Sequence, residues 1–186
     1  MRLIDAREEQ ALMAKARAGD AAAFEEVVRT FQGPIYRLCR RMTGAHQSAD
    51  DLAQETFLKA YRALPGFREG LDVYAWLRRI AVNATLNYLK ARRREEPLGD
   101  RDSAVPDAAP QDELQRREAE DRFRAALRAL PDDQRLVFTL RVAEGLSYRD
   151  IARELRLAPG TVMSRLARAR RRLKAALAGF LDGRPA

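Results

Sequence analysis

Residues 145–174 read GLSYRDIARELRLAPGTVMSRLARARRRLK and predict two helices joined by a tight turn. Ser147 and Asp150 form the pattern S-x-x-D, which satisfies free amide groups at a helix N-terminus. Ile151 and Leu155 then repeat at the spacing of a buried helix face. Pro159 suits the first position of the second helix, where its missing N–H costs nothing. The stretch therefore predicts a helix-turn-helix.

The second helix of this motif has two chemically different faces. The apolar face is predicted to lie in the core and contains Val162, Leu166, Ala169, Leu173 and Leu177. The polar face contains Thr161, Ser164, Arg165, Arg168 and Arg172. Residues 161–174 hold six basic and no acidic side chains, a composition suited to a helix that enters the major groove of DNA. The alternative is a solvated amphipathic helix in an ordinary bundle.

The sequence predicts an all-α protein with two small helical domains. Val, Ile and Thr never alternate with polar residues over the length of a strand. Residues 95–112 read EEPLGDRDSAVPDAAPQD and hold three prolines and six acids, which predicts a flexible acidic linker. The predicted parts are an N-terminal helical extension at 1–19, a first domain at 20–94, a linker at 95–114, a second domain at 115–178 and a tail at 179–186.

Charge is unevenly distributed along the chain. The net charge is +8, and the C-terminal third is the basic part. Such a distribution indicates a polyanionic partner, although an arginine excess also reflects GC-rich coding. One cysteine and one histidine exclude a disulfide framework and a zinc site. Cys39 is predicted to be a core thiol, and His46 a surface residue in a loop.

In the first domain, Gly33 and Pro34 are predicted to interrupt a helix that Asp20 caps. Ser48 and Asp51 predict the start of the next helix. Its outward face contains Asp51, Gln54, Glu55, Leu58 and Arg62. An acidic face centred on an exposed leucine is typical of a protein-docking surface, and an ordinary solvated face is the alternative.

A long helix capped by Asp72 is predicted to reach about Arg94. Its exposed face contains Arg79, Asn83, Leu86, Asn87 and Lys90. Asparagine is disfavoured inside helices, so two asparagines beside cations indicate contacts with bases or sugar-phosphate. Phe67, in the preceding loop, is the aromatic residue expected to touch nucleic acid, whereas Trp76 is expected to lie in the core.

Together, the two blocks resemble a sigma factor of the sigma-70 family, in its small extracytoplasmic-function (ECF) group. DDLAQETFLKAYRALPGFR followed by YAWLRRIAVNATLNYLKARRR is similar to region 2. LRALPDDQRLVFTLRVAEGLSYRDIARELRLAPGTVMSRLARARRRLKAAL is similar to region 4. The pairing of DDLAQETF and AVNATLNYL with a helix-turn-helix is far more specific than that motif alone.

The resemblance implies three binding surfaces. Core RNA polymerase would bind Asp51, Gln54, Glu55 and Leu58. Phe67, Arg68 and Asn83 would form a pocket for an unstacked base of the −10 element, with Arg79, Asn87 and Lys90 on the same DNA-binding face. The −35 element would be read by Thr161, Ser164, Arg165 and Arg168, with Arg171, Arg172 and Lys174 nearer the phosphates.

The sequence departs from relatives in two respects. Trp76 is followed by Leu77 where larger members carry paired tryptophans, so melting is expected to depend more on the promoter sequence. Met163 and Ala167 stand where relatives often have basic or larger side chains, so the −35 preference cannot be copied from any relative.

The expected partners are core RNA polymerase, promoter DNA and an anti-sigma factor, with no small-molecule substrate, cofactor, metal or catalytic residue. The charged start MRLIDAREEQ has no apolar signal-peptide core, which predicts a cytoplasmic protein. A membrane-bound anti-sigma factor, common in this group, would hold it at the membrane.

Three other readings compete with the sigma factor. One is an autonomous helix-turn-helix regulator that binds duplex DNA without polymerase. Another is a helical adaptor, which leaves the arginine face and the paired asparagines unexplained. An enzyme is the least supported, because the sequence has no phosphate-binding glycine loop, metal-ligand cluster or nucleophile–base pair.

Overall fold

The computed structural model describes the backbone of residues 5–95 and 111–181, and the side chains of residues 5–92 and 118–178. Within these ranges it contains helices and no strand, which confirms the all-α prediction. The chain forms two compact units, one of residues 1–40 and 45–97 and one of residues 41–44 and 98–186. Most of the predicted linker, residues 96–110, and the end of the predicted tail lie outside the described residues, whereas residues 111–114 already belong to a helix.

The described part of the N-terminal unit contains four α-helices and one short 3₁₀ helix. They are α1 (Ala6–Arg17), α2 (Ala21–Thr43), α3 (His46–Ala63), the 3₁₀ helix (Leu64–Gly66) and α4 (Val73–Glu95). Fully buried side chains of α2, α3 and α4 form its core, among them Ile35, Leu38, Ala49, Leu77 and Ala81. Helix α1, predicted as an extension, packs into this unit because Met13 and Ala16 are buried.

Cys39 lies in this core, as the sequence predicted. Its side chain is fully buried, and burial raises the pKa of the thiol to about 12. A thiol that stays protonated at neutral pH is a poor nucleophile. Cys39 is therefore a packing residue.

Two predicted helix boundaries in this unit are wrong. Helix α2 runs without a break through Gly33 and Pro34. Both halves of the helix bury apolar side chains in the same core, and the stabilisation from this burial outweighs the loss of the hydrogen bond that proline cannot donate. Helix α3 begins at His46, with Ala45 as N-cap. Ser48 therefore lies inside the helix, where its Oγ is 2.7 Å from the hydroxyl oxygen of Tyr88.

The C-terminal unit contains the predicted helix-turn-helix. Its helices are α5 (Gln111–Ala129), α6 (Asp132–Val142), α7 (Tyr148–Leu155) and α8 (Pro159–Leu181). Helix α8 contacts each of the other three, and its predicted apolar face is buried at Val162, Leu166, Ala169 and Leu173. Leu177, at the end of that face, is half-buried.

The start of α7 follows its predicted cap. The Ser147 Oγ accepts a hydrogen bond from the Asp150 backbone N–H at 3.1 Å and donates one to the Asp150 carboxylate at 2.5 Å. Arg156 ends the helix in the left-handed conformation, with φ 54°. Helix α7 therefore starts at a Ser147 N-cap and ends at the left-handed residue Arg156, where the chain turns towards α8.

Ser147→Ala is expected to destabilise α7 by about 1 kcal/mol, the usual loss for an N-cap. The hydrogen bond from Ser147, and next the charge of Arg153, hold the pKa of Asp150 below its ordinary value. The variant should therefore raise that pKa towards the ordinary value. NMR titration of Asp150 and hydrogen exchange of α7 check both effects. An unchanged Asp150 pKa in the variant would contradict the assigned cap.

A lowered pKa also fixes the direction of the pH dependence. The stabilisation from the Asp150 carboxylate is present above the unfolded-state pKa and is lost as the pH falls through the lower folded-state value. The protection of α7 against hydrogen exchange should therefore be lost as the natural protein is acidified. In Ser147→Ala, the same loss should begin at a higher pH.

Candidate functional site

The outward face of α3 combines acidic, amide and apolar side chains. Asp51, Gln54 and Leu58 are exposed, and the Leu58 side chain is 60% exposed. Glu55 is half-buried, and its Oε1 lies 2.5 Å from the Lys59 Nζ. Because α3 is anchored by its buried opposite face, these side chains are presented on a rigid helix.

A groove of about 820 Å³ adjoins this face between α2 and α3. Its lining includes Phe24, Val28 and Tyr36 of α2 and Gln54, Leu58 and Tyr61 of α3. The periodicity of single helices could not predict this groove, because it forms where two helices meet. The Tyr61 ring packs edge-on against Phe24, with centroids 5.1 Å apart, but remains 54% exposed.

The polar face predicted for α4 lies at the surface. Arg79, Asn83, Asn87 and Lys90 are all exposed, and their spacing aligns them along one side of the helix. The buried side of α4 contributes Leu77, Ala81 and Ala84 among other residues to the core. Trp76, expected in the core, is half-buried.

The loop between the 3₁₀ helix and α4 buries one of the two residues that were predicted to touch DNA. Arg68 is exposed, but Phe67 is only 2% exposed. The Phe67 ring packs edge-on against Trp76, with centroids 5.0 Å apart. The predicted surface position of Phe67 is wrong because the 3₁₀ turn directs the ring into the core.

The polar face predicted for α8 divides into exposed and half-buried residues. Arg168, Arg171, Arg172 and Lys174 are exposed, whereas Thr161, Ser164 and Arg165 are half-buried. Ser164 Oγ donates a hydrogen bond to the Thr161 carbonyl at 3.1 Å. Arg165 Nε lies 3.1 Å from Asp133 Oδ2 of α6. The sequence did not predict this ion pair, because it joins residues far apart along the chain.

Two family descriptions match the two parts of the chain. Residues 27–95 match Sigma-70 region 2, and residues 120–173 match Sigma-70, region 4. The chain belongs to the sigma-70 family. It is an alternative sigma factor that acts in promoter-specific transcription. This confirms the resemblance drawn from the sequence, and it sets aside the autonomous regulator and the helical adaptor.

Relatives of this sigma factor extend over nearly its whole length. It is 38% identical over 190 residues to the RNA polymerase sigma-H factor of Pseudomonas aeruginosa, covering 96% of this chain and 98% of the relative. It is 35% identical over 173 residues to the ECF RNA polymerase sigma-E factor of Escherichia coli K12, covering 87% and 90%. These relatives place it in the ECF group.

A solved structure supports the same assignment. The sigma factor RpoE of Bartonella quintana, solved in complex with the anti-sigma factor NepR, superimposes with a TM-score of 0.66 at 29% identity. The match covers 83% of this chain and 96% of that one. Among the described helices, none combines the length and the apolar character needed to span a membrane.

Proposed function

We propose that this sigma factor works through three surfaces, which we name by their partners. The polymerase face on α3 is Asp51, Gln54, Glu55 and Leu58. The −10 face is Arg68 with Arg79, Asn83, Asn87 and Lys90 of α4. The −35 face on α8 is Thr161, Ser164, Arg165 and Arg168, with Arg171, Arg172 and Lys174 nearer the phosphates.

One observation carries the proposal: the two units each present an exposed polar stripe on a helix whose other side is buried. The stripe on α4 mixes amides with cations, and the exposed members of the −35 face on α8 are all cations. Amides can pair with the edge of a base, and arginines suit guanine edges and phosphates. Because the two stripes differ in chemistry and lie on different units, we expect each unit to bind its own DNA element.

On the −10 face, Asn83 supplies the base-reading chemistry. Its side-chain amide can both donate and accept hydrogen bonds, which matches the edge of an unstacked base. Turning a base out of the stack costs a few kcal/mol, so the captured base needs a shaped, polar site. The sequence predicted that Phe67 touches DNA directly. Because its ring is buried, Phe67 would instead support the −10 face from below by fixing the start of the loop that carries Arg68.

On the −35 face, Arg168 is the proposed reader of a base edge. Arg165 engages Asp133 through Nε, which leaves its two terminal amino groups to face DNA. Asp133 would therefore orient the Arg165 guanidinium. Met163 lies on the same helix, and its side chain is 56% exposed. It is therefore available for an apolar contact with a thymine methyl group.

Arg168→Lys is expected to reduce discrimination at one −35 base pair by about tenfold, within the usual range of a bidentate arginine contact. Lysine keeps the charge but loses the fork geometry, so the dependence of affinity on salt should stay unchanged. Affinity of the polymerase complex for −35 variants, measured at several salt concentrations, checks both effects. Arg172→Lys is the control, because it is proposed to contact phosphate. Equal losses across all −35 variants would make Arg168 a phosphate contact instead.

The proposal also includes an anti-sigma partner. The Bartonella quintana relative was solved with one, and the groove beside Leu58 and Tyr61 offers an apolar surface next to the polymerase face. An occupant of this groove would compete with polymerase. We place the protein in the cytoplasm, held at the membrane whenever the anti-sigma factor is anchored there. It performs no chemistry of its own, since polymerase makes the RNA.

Sequencing of initiated transcripts tests the proposed function. The purified protein is mixed with bacterial core RNA polymerase and fragmented genomic DNA from the host. We expect initiation at a small set of sites that share two spaced upstream elements. The proposal fails if the protein neither binds core polymerase nor changes the start sites, or if it binds duplex promoter DNA tightly without polymerase.

A further inference from the structure

Helix α1 reaches the loop that carries Arg68 through the side chain of Gln10. Gln10 Nε2 donates a hydrogen bond to the Leu71 carbonyl at 2.7 Å. Gln10 Oε1 accepts one from the Gly70 backbone N–H at 2.9 Å. One side-chain amide thus pairs with the loop backbone in both directions, about 60 residues away along the chain.

The loop needs such support because its middle has little packing of its own. Arg68, Glu69, Gly70 and Leu71 are all exposed, and Gly70 adopts φ 81°, which favours glycine. The two ends are anchored differently. Phe67 is buried at the start, and at the end the Asp72 carboxylate accepts a hydrogen bond from the Ala75 N–H at 2.6 Å. Gln10 holds the segment between these anchors.

The contact also reaches Arg68 itself. The Leu71 backbone N–H donates to the Arg68 carbonyl at 3.3 Å, which closes a turn from Arg68 to Leu71. Gln10 bonds to two residues of that turn. Fixing the turn therefore fixes the direction in which the Arg68 side chain leaves the backbone.

Helix α1 lies close to the end of the loop as well. Burial, and next the nearby Asp72 carboxylate, raise the pKa of Glu9. The neighbouring residues Glu9 and Gln10 thus approach the last part of the loop from the same helix. This agrees with a docked α1 that meets the last part of the loop.

We infer that Gln10 is a positioning residue for the −10 face and that α1 belongs to the DNA-reading apparatus. This inference rests on the proposed role of Arg68 and Asn83 in −10 recognition. Gln10 touches no DNA. It holds the loop in one conformation before DNA arrives, which lowers the cost of ordering the loop on binding.

The competing explanation is that α1 only stabilises the fold. Met13 tests this, because it is 1% exposed and supplies apolar packing of α1. Met13→Ala should lower thermal stability more than any Gln10 variant, since it leaves a cavity. It leaves both hydrogen bonds of Gln10 available, so it separates stability from loop positioning.

The experiment uses the full-length protein bound to core polymerase on a promoter found by transcript sequencing. Open-complex formation is measured on that promoter and on variants with each non-template −10 base replaced. Gln10→Ala removes both hydrogen bonds. Gln10→Glu keeps the size and the acceptor for Gly70, but sets a carboxylate oxygen against the Leu71 carbonyl.

Both Gln10 variants are expected to reduce discrimination among −10 bases by about five- to tenfold, as expected for one or two lost hydrogen bonds. Binding to core polymerase and to a −35 duplex should stay unchanged. Met13→Ala should lower the melting temperature and keep the natural −10 preference. The inference is overturned if both Gln10 variants keep the natural preference, or if Met13→Ala changes it as much as they do.

If the proposed −10 recognition itself is wrong, the experiment gives a different result. If the natural protein itself shows no −10 base preference on polymerase, the proposed −10 face is wrong and the role of Gln10 falls with it. If the natural protein discriminates and the Gln10 variants do so equally well, only the positioning role is wrong.

Discussion

Asn83→Ala is expected to slow promoter opening by tenfold or more while binding to core polymerase stays unchanged. Each good base contact contributes about 1–3 kcal/mol of discrimination, and opening is the step in which the −10 base must be captured. Asn83 is exposed on α4, so the substitution leaves the core intact. Alanine is also the better helix former, so unfolding cannot account for a loss. The measurement is the rate of open-complex formation, alongside the dissociation constant for core polymerase.

Asn83→Asp provides a second variant of nearly the same shape. It removes the amide donor and adds a negative charge facing DNA, so it should be at least as damaging as Asn83→Ala. The control for promoter opening is Gln47→Ala, which changes an exposed amide on α3 outside the −10 face. The Gln47 amide contacts Asp51 of the polymerase face at 3.3 Å, so promoter opening after polymerase binding should stay unchanged in this variant. If Asn83→Ala lost affinity for core polymerase and opened promoters normally once bound, Asn83 would belong to the polymerase face.

Leu58→Asp is expected to weaken binding to core polymerase by about thirtyfold or more, the effect of losing a central anchor of an interface. The Leu58 side chain is 60% exposed and is the apolar member of the polymerase face. A partner that buries it would gain apolar contact, and the aspartate would leave a charge in that contact. Affinity for core polymerase, measured with a labelled sigma factor, checks this result.

The fold should tolerate this change, because exposed substitutions usually alter stability by no more than about 0.5 kcal/mol. Val142→Asp is the matched control, since Val142 is another exposed apolar residue, at 56%, in the C-terminal unit. Its affinity for core polymerase should remain close to the natural value. Equal losses from both variants would show a non-specific effect of charge, and an unchanged Leu58→Asp would remove Leu58 from the interface.

Local patterns predicted the helix-turn-helix well. The apolar spacing of α8 places Val162 and Leu166 in the core, and Ser147 caps α7 as its S-x-x-D pattern indicates. These features depend on neighbours within four residues, which a sequence displays directly. The paired polar face of α4 was predictable for the same reason.

The errors and omissions share a physical cause, because each depends on contacts between distant residues. Pro34 was expected to break α2, but the core on both sides keeps the helix continuous. Phe67 was expected at the surface, but its partner Trp76 lies in the next helix. The Arg165–Asp133 pair and the Gln10 contacts also join different helices or a helix to a loop. Periodicity carries no signal for such pairs.

The most direct test of the two proposed DNA-binding faces is photo-crosslinking in the open complex. A photoreactive amino acid is placed at position 87, on the −10 face, or at position 171, beside the −35 readers. The account predicts crosslinks from position 87 to the non-template strand of the −10 element and from position 171 to the −35 duplex. Crosslinks from both positions to one element, or from position 87 to polymerase alone, would contradict it.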